Sequence, residues 1–282
     1  MSINPSLIIS IYNQSKQLKA VLGTVANQTN KSFELIVADD GSTDNPETIV
    51  NTFVADHPDF KVKYISQEDH GFRKTILLNK AFKLAEGNYF IVIDGDMLLH
   101  PKFIENHLRY SRPDKILCGY RGVKLGKVIT ETILNHDIAL NVNSAVLFYN
   151  SLLGKIDRPS RGIEIHIPWL RKLLHRNSPR LSGCNFSVYK DKIFNVNGMD
   201  ESILRYGFED YELGHRLHLS GVQVSDVSRC CITYHLNHPK ISKLSVKSEL
   251  KKIRASKEMK CKNGLEKLEK GSSLQDFLER ND

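Results

Sequence analysis

An α/β fold with a mostly parallel central sheet flanked by helices is what this sequence predicts, and three observations carry the prediction. Strand-like and helix-like segments alternate through the first 118 residues. The strand-like runs are apolar on both faces, as parallel strands covered by helices on both sides must be. Aspartates gather where those runs end, and the carboxyl ends of parallel strands are where such sheets bind ligands.

Each element follows from its local pattern. The run LIISI (7–11) is the first strand, and helical periodicity extends from Ser15 to Asn27. FELIVAD (33–39) is the second strand; it ends in the turn-rich DGSTDN, from which a helix runs to about Ala55. KVKYI (61–65) is the third strand, followed by a helix from Arg73 to Ala85 whose apolar face includes Ile76, Leu77, Phe82 and Leu84. NYFIVIDGD (88–96) is a fourth strand, apolar on both faces until two aspartates appear. Residues 121–180 predict an irregular, partly helical insertion, with an amphipathic segment near 129–150 and the basic WLRKLLHRNSPR at 169–180. Regular structure resumes with LSGCNFSVYK (181–190), a helix opening at Glu209 and the strand-like CCITYH (230–235).

Composition narrows the class. With 282 residues, 40% hydrophobic and 26% charged, the chain reads as a soluble globular protein. No apolar run approaches the roughly 20 residues that span a bilayer, and residues 1–20 lack a signal-peptide pattern. The five cysteines are odd in number and form no C-x-x-C pair, so reduced thiols and a cytoplasmic location are expected. The net charge of +8 is concentrated between Lys240 and Lys270, where eleven Lys/Arg face four Glu. A basic tail suits peripheral contact with the anionic inner face of a membrane. It does not resemble a nucleic-acid-binding domain, whose basic residues lie on the folded body, so no nucleic-acid partner is expected.

Phosphate motifs are mostly excluded. No G-x-G-x-x-G follows the first strand and no G-x-x-x-x-G-K-[ST] occurs. Without a glycine cradle, a phosphate ligand calls for a metal ion. Asp94 and Asp96 stand two apart at a strand end, where side chains two apart share a face. Such a pair suits a hard divalent cation, although a lone D-x-D also arises in turns. The stretch RYGFEDYELGHRLHLSG (205–221) places Glu209, Asp210 and Glu212 in a first helical turn. There, carboxylates read equally as a dipole-favoured cap or as a catalytic base.

Three blocks in order, SIYNQSKQLKAVLGTVANQTNKSFELIVADDGSTDN, QEDHGFRKTILLNKAF and GNYFIVIDGDMLLHPKFI, resemble family 2 glycosyltransferases of the GT-A fold over about residues 5–110. A later block, GMDESILRYGFEDYELGHRLHLSGV with TYHLNHP, resembles the carboxyl-terminal half shared by galactosyltransferase-like and chondroitin-polymerase-like enzymes. The resemblance implies a nucleotide-sugar-binding half at 1–120, an acceptor-binding and catalytic half at 121–239, and the tail at 240–282. It implies donor contacts from Ser10, Tyr12, Asp39, Arg73, Asp94 and Asp96. Tyr12 would pack on the nucleobase or in the core, and Asp39 would accept a hydrogen bond from the base while Asp40 forms the turn. Asp96 and His235 would ligate Mn²⁺ or Mg²⁺, with His238 a loop residue outside that set. Asp210 would be the catalytic base, Glu209 would hydrogen-bond the acceptor or the local backbone, Asn185 would contact the acceptor, and Glu212 would cap the helix or face solvent. One departure stands out: the family often has Arg-Asn where this chain has Leu78-Asn79, and Arg73 or Lys74 would have to replace that cation.

The implied activity is metal-dependent, inverting transfer of a hexosyl or N-acetylhexosaminyl group from a UDP-sugar to a glycan or lipid-linked glycan, in surface polysaccharide synthesis. Two alternatives stand beside it. One is a nucleotidyltransferase, although the loop YNQSKQL after strand one has no glycine. The other is an inactive sugar- or nucleotide-binding module of the same fold.

Overall fold

The computed structural model describes residues 2–136, 153–174, 180–239 and 247–267. Its first half alternates as the sequence predicts: β1 (Pro5–Ile11), α1 (Ser15–Ala26), β2 (Glu34–Asp39), α2 (Pro46–Asp56), β3 (Lys61–Ser66), α3 (Lys74–Leu84) and β4 (Tyr89–Asp94). Then come β5 (Met97–Leu99), α4 (Phe103–Tyr110), β6 (Lys115–Cys118), β7 (Val123–Leu125), α5 (Lys127–His136) and β8 (Ile156–Asp157). A 3-10 turn (Pro159–Gly162), α6 (Pro168–Leu174), β9 (Asn185–Tyr189), α7 (Lys190–Asn195), α8 (Glu209–Leu219), β10 (Gln223–Asp226), β11 (Thr233–His235) and α9 (Lys247–Ala255) follow.

Seven strands form the central sheet in the order β10-β6-β9-β4-β1-β2-β3. Pairing is parallel from β4 through β1 and β2 to β3, and β9 runs antiparallel to both β4 and β6. The apolar runs are explained by burial on two sides. Leu7, Ile9, Leu35, Val37, Ile91 and Ile93 pack into one core with Leu18, Val21, Leu22 and Val25 of α1. Their alternates Ile8, Ile36, Ala38, Phe90 and Val92 pack into a second core with Leu77, Leu78, Ala81 and Phe82 of α3. The i, i+3, i+4, i+7 spacing in α1 is what puts one stripe of that helix on the sheet.

A second sheet, β5-β11-β7-β8, positions the site. The chain leaves β4 at Asp94, turns through Gly95 and enters β5, which pairs antiparallel with β11 so that Met97 faces His235. The Asp96 carbonyl accepts the Leu236 amide at 3.0 Å, and residues 139 positions apart in the chain (Asp96 and His235) become neighbours. Gly95 is required by crowding: a Cβ there would lie 2.5 Å from Ile11 Cγ2 and 2.9 Å from Gln14 Oε1.

Two expectations change. The insertion at 121–180 is more regular than its sequence suggests, because β7, β8 and the 3-10 turn join the second sheet and its edge; residues 137–152 and 175–179 of it lie outside the described residues. The segment read as a basic tail is, over 247–267, part of the fold. Leu265 is buried in the core around α3. Cys261 is also buried, and Asn197 donates its side-chain amide to the Cys261 carbonyl at 2.8 Å. Residues 240–246 and 268–282 lie outside the described residues. Among the described residues no helix is long and apolar enough to cross a membrane.

Candidate active site

The carboxyl ends of β1 and β4 open into a cleft of about 380 Å³. Ser10 and Tyr12 line it from β1, Asp94 and Asp96 from β4 and the following turn, Lys74 from α3, and His235 and His238 from β11 and beyond. At its floor Asp96 is buried, and its Oδ2 lies 3.4 Å from His235 Nε2 and 3.2 Å from His238 Nε2. One ligand atom from each of Asp96, His235 and His238 falls within 4.8 Å of the others. Burial works against the charge of Asp96, but the two imidazoles outweigh it and hold the carboxyl well below the usual range. The other Asp96 oxygen and His235 Nδ1 are buried without a hydrogen-bond partner. Buried polar atoms in native folds are nearly always satisfied, so this donor set of one carboxylate and two imidazoles fits a divalent cation.

Above that cluster Lys74 is ion-paired with Asp94. Burial opposes the ammonium, but the Asp94 carboxylate prevails and raises it above the usual lysine range. Lys74 is a cation of the cleft wall, whereas Leu78 is core, 2% exposed. Arg121 reaches the cleft from the loop after β6 and donates to the Tyr206 hydroxyl at 3.3 Å.

Residues 6–189 match the model of "Glycosyl transferase family 2", and residues 171–239 match that of the "N-terminal domain of galactosyltransferase". This chain belongs to glycosyl transferase family 2. It is 28% identical over 243 residues to chondroitin synthase of Escherichia coli, covering 83% of this chain and 35% of that protein. The chain therefore spans about a third of the length of that relative. Among solved structures it is similar to a mannosyltransferase from Pyrobaculum calidifontis in complex with GDP-Man and Mn²⁺, with TM-score 0.55 and 16% identity over 84% of this chain and 57% of that one. It is also similar to residues 1–349 of TarS from S. aureus in complex with UDP, with TM-score 0.52 and 19% identity over 82% of this chain and 60% of that one. At such identities the likeness shows the fold, which is the GT-A fold of glycosyltransferases.

Within this family 2 chain the expected site residues separate into those the fold gathers and those it does not. Ser10, Tyr12, Asp94, Asp96 and His235 meet in the cleft. Tyr12 is 47% exposed and donates to Asp69 at 2.9 Å, so it is a cleft wall and not core packing. Asp39 and Asp40 exchange their expected places. Asp39 Oδ1 accepts the Ser42 amide at 3.0 Å and its Oδ2 accepts the Tyr64 hydroxyl at 2.8 Å, which commits it to the turn. Asp40 lines the cleft, and burial pushes its carboxyl up to about 6 although Gln67 and the Arg73 amide donate to it. Arg73 is buried beside Asp40 at the start of α3, with one guanidinium nitrogen lacking a hydrogen-bond partner. His238, expected outside the metal set, belongs to the cluster; the H-x-x-H spacing in TYHLNHP was the available signal.

The acidic stretch at α8 resolves into three roles. Asp210 lines a second cavity beside the first, and its Oδ2 accepts the Gly183 amide at 3.0 Å. Glu209 accepts the amides of Gly207 and Phe208 at 2.8 and 2.9 Å, so it ties down the backbone of the turn that leads into α8. Burial, and then Asp210 beside it, raise the Glu209 carboxyl. Glu212 neither caps nor faces solvent: it grips Arg216 through two bonds of 2.6 and 2.7 Å. Asn185, expected to contact the acceptor, is fully buried; it donates to the Cys231 carbonyl at 3.1 Å and its Oδ1 lies 3.2 Å from His107 Nε2. Its register opposite Ile93 on an interior strand leaves its amide no route to the cleft.

Proposed function

We propose that this chain is a metal-dependent, inverting glycosyltransferase that moves a hexosyl or N-acetylhexosaminyl group from a UDP-sugar to a glycan or lipid-linked glycan. The observation that carries the reading is the Asp96–His235–His238 cluster at the floor of a cleft whose wall holds Lys74 and Arg121, with Asp210 in the adjoining cavity. Family membership and the nucleotides bound to its structural neighbours, GDP-Man and UDP, support the donor class.

A Mn²⁺ or Mg²⁺ ion held by Asp96, His235 and His238 would supply Lewis-acid neutralisation of a departing diphosphate. Lys74 and Arg121 place two further cations along the same cleft, where charge develops as the anomeric C–O bond breaks. Asp94 orients Lys74. Tyr12 stands at the mouth to pack on a base, and Asp40 below it offers a carboxylate to the N–H of that base. Asp210 receives the acceptor proton as the new C–O bond forms, and the Gly183 amide keeps its carboxylate aimed into the second cavity. Attack opposite the leaving group inverts the anomeric carbon and needs no covalent enzyme intermediate. Surface polysaccharide synthesis, and peripheral contact with an anionic membrane through the basic residues from Lys240 onward, complete the proposal.

Incubation with a panel of UDP-sugars and Mn²⁺, reading UDP release, tests it directly. EDTA should abolish release, Mn²⁺ should restore it, and Asp96→Ala should remain inactive under all three conditions. Full turnover in EDTA would refute the metal, and UDP-sugars left intact in every mixture would refute the transfer.

A further inference from the structure

Through Arg121 and Tyr206, which line both spaces, the donor cleft continues into a second cavity of about 380 Å³. Four arginines line it (Arg121, Arg158, Arg161 and Arg180), and the carboxylates among its lining residues are Glu209 and Asp210. The arginines come from separate places in the fold. Arg121 follows β6, Arg158 immediately precedes the 3-10 turn, Arg161 lies within it, and Arg180 precedes Leu181 in the approach to β9. Arg158 takes φ +59, a left-handed conformation uncommon for a residue with a side chain. It is kept there by the turn, where the Arg161 amide donates to the Arg158 carbonyl at 2.9 Å. The Arg180 amide is anchored on the Tyr120 hydroxyl at 3.1 Å.

Four arginines lining one concave wall concentrate positive charge there more than arginines spread over a convex surface would. The lining sets four arginines against two carboxylates, and Glu209 already accepts the amides of the turn before α8. Guanidinium groups match planar carboxylates and phosphates with paired hydrogen bonds. The donor diphosphate would have its own cations in the neighbouring cleft, Lys74, Arg121 and the ion that Asp96, His235 and His238 would hold. An anion in the second cavity therefore arrives with the molecule that meets Asp210. We propose that this cavity binds an acceptor sugar bearing a carboxylate or phosphate, gripped by Arg158, Arg161 and Arg180 while its hydroxyl faces Asp210. The proposal rests on the glycosyltransferase reading for the word acceptor, and on the cavity alone for the anion.

The test pairs binding with turnover on the full chain. Methyl β-glucuronide, the methyl glycoside of glucose 6-phosphate and neutral methyl β-glucoside are titrated by NMR into the protein saturated with UDP and Mn²⁺. At least one charged glycoside should bind about ten- to hundredfold tighter than the neutral one, the worth of charged hydrogen bonds, and which one separates carboxylate from phosphate. In Arg158→Gln/Arg161→Gln that advantage should disappear; UDP affinity is the folding control, since neither residue lines the donor cleft. Equal binding of charged and neutral glycosides, or an advantage that survives the double substitution, overturns the proposal. Turnover with UDP-glucuronate and UDP-glucose forms the second arm: selectivity that follows the charge on the donor and not on the acceptor overturns it too. If no donor releases UDP, the glycosyltransferase reading fails, while the NMR titration still decides whether the cavity holds an anion.

Discussion

Asp39 and Asp40 are adjacent, yet the fold sends one carboxylate into a turn and the other into the cleft. Successive residues leaving a strand point in opposite directions, so tandem aspartates cannot share a task. Asp40→Asn should weaken UDP binding about tenfold or more, the worth of a hydrogen bond to a charged group, as measured by calorimetry with Mn²⁺ present. Asp39→Asn should instead lower the melting temperature while leaving UDP affinity close to that of the wild type. The reverse pattern would return the base contact to Asp39. At α8, Asp210→Asn should reduce UDP release about 10²–10⁴-fold, the usual cost of a positioned base, with donor affinity retained. If most activity remains, the base lies elsewhere.

Helices in this molecule are tied down by buried polar contacts, and two of these make predictions. Glu212 and Arg216 pair across one turn of α8 with side chains 13% and 3% exposed, and Arg216 also donates to the carbonyls of Val196 and Gly198. Removing one member of a buried pair costs about 3–5 kcal/mol, so Glu212→Gln should destabilise the fold. Its denaturation midpoint should drop clearly, while UDP release per folded molecule changes much less. On α4, His107 bonds to Ser187 of β9 at 2.7 Å and is fully buried, which pushes its imidazole down to about 3. The unfolded chain takes up this proton near pH 6.5, so between about 6.5 and 3 the unfolded state binds more protons than the folded one. Stability from this group is complete above that window and is lost as pH falls through it. Urea midpoints measured from pH 7 to pH 5 should decline, and less steeply in His107→Asn.

At the scale of the whole molecule, the segment beyond Pro239 is partly structural. Leu265 packs against the core around α3, and a Cβ on Gly198 would lie 2.6 Å from it. Arg205 reaches Glu249 of α9 at 2.8 Å, joining that helix to the loop before α8. Ending the chain at Pro239 should therefore lower the melting temperature or prevent folding, and could not test membrane contact cleanly. Replacing exposed lysines of α9 by glutamine is the better probe. Co-sedimentation with anionic vesicles should fall with each charge removed if the basic segment contacts lipid, while the melting temperature stays constant.

The sequence by itself determined the sheet and the first half of the site. Apolar runs without polar alternation require burial on both faces, so β1, β2 and β4 and their parallel direction were legible from residues 7–94. Asp94 and Asp96 were legible because a strand that turns acidic at its end exposes carboxylates where ligands bind. The tertiary structure alone decided the rest. Asp96 meets His235 and His238 only because β5 pairs with β11, and a pairing between segments over a hundred residues apart leaves no local pattern to read. Glu212 looked like a cap because an acidic first turn suits the helix dipole, and only packing revealed Arg216 as its partner. The four arginines of the second cavity are scattered from position 121 to position 180, in the part of the chain with the weakest periodicity. Their convergence depends on loops held by a second sheet, and such contacts are fixed by packing and long-range hydrogen bonds that short-range propensity does not encode.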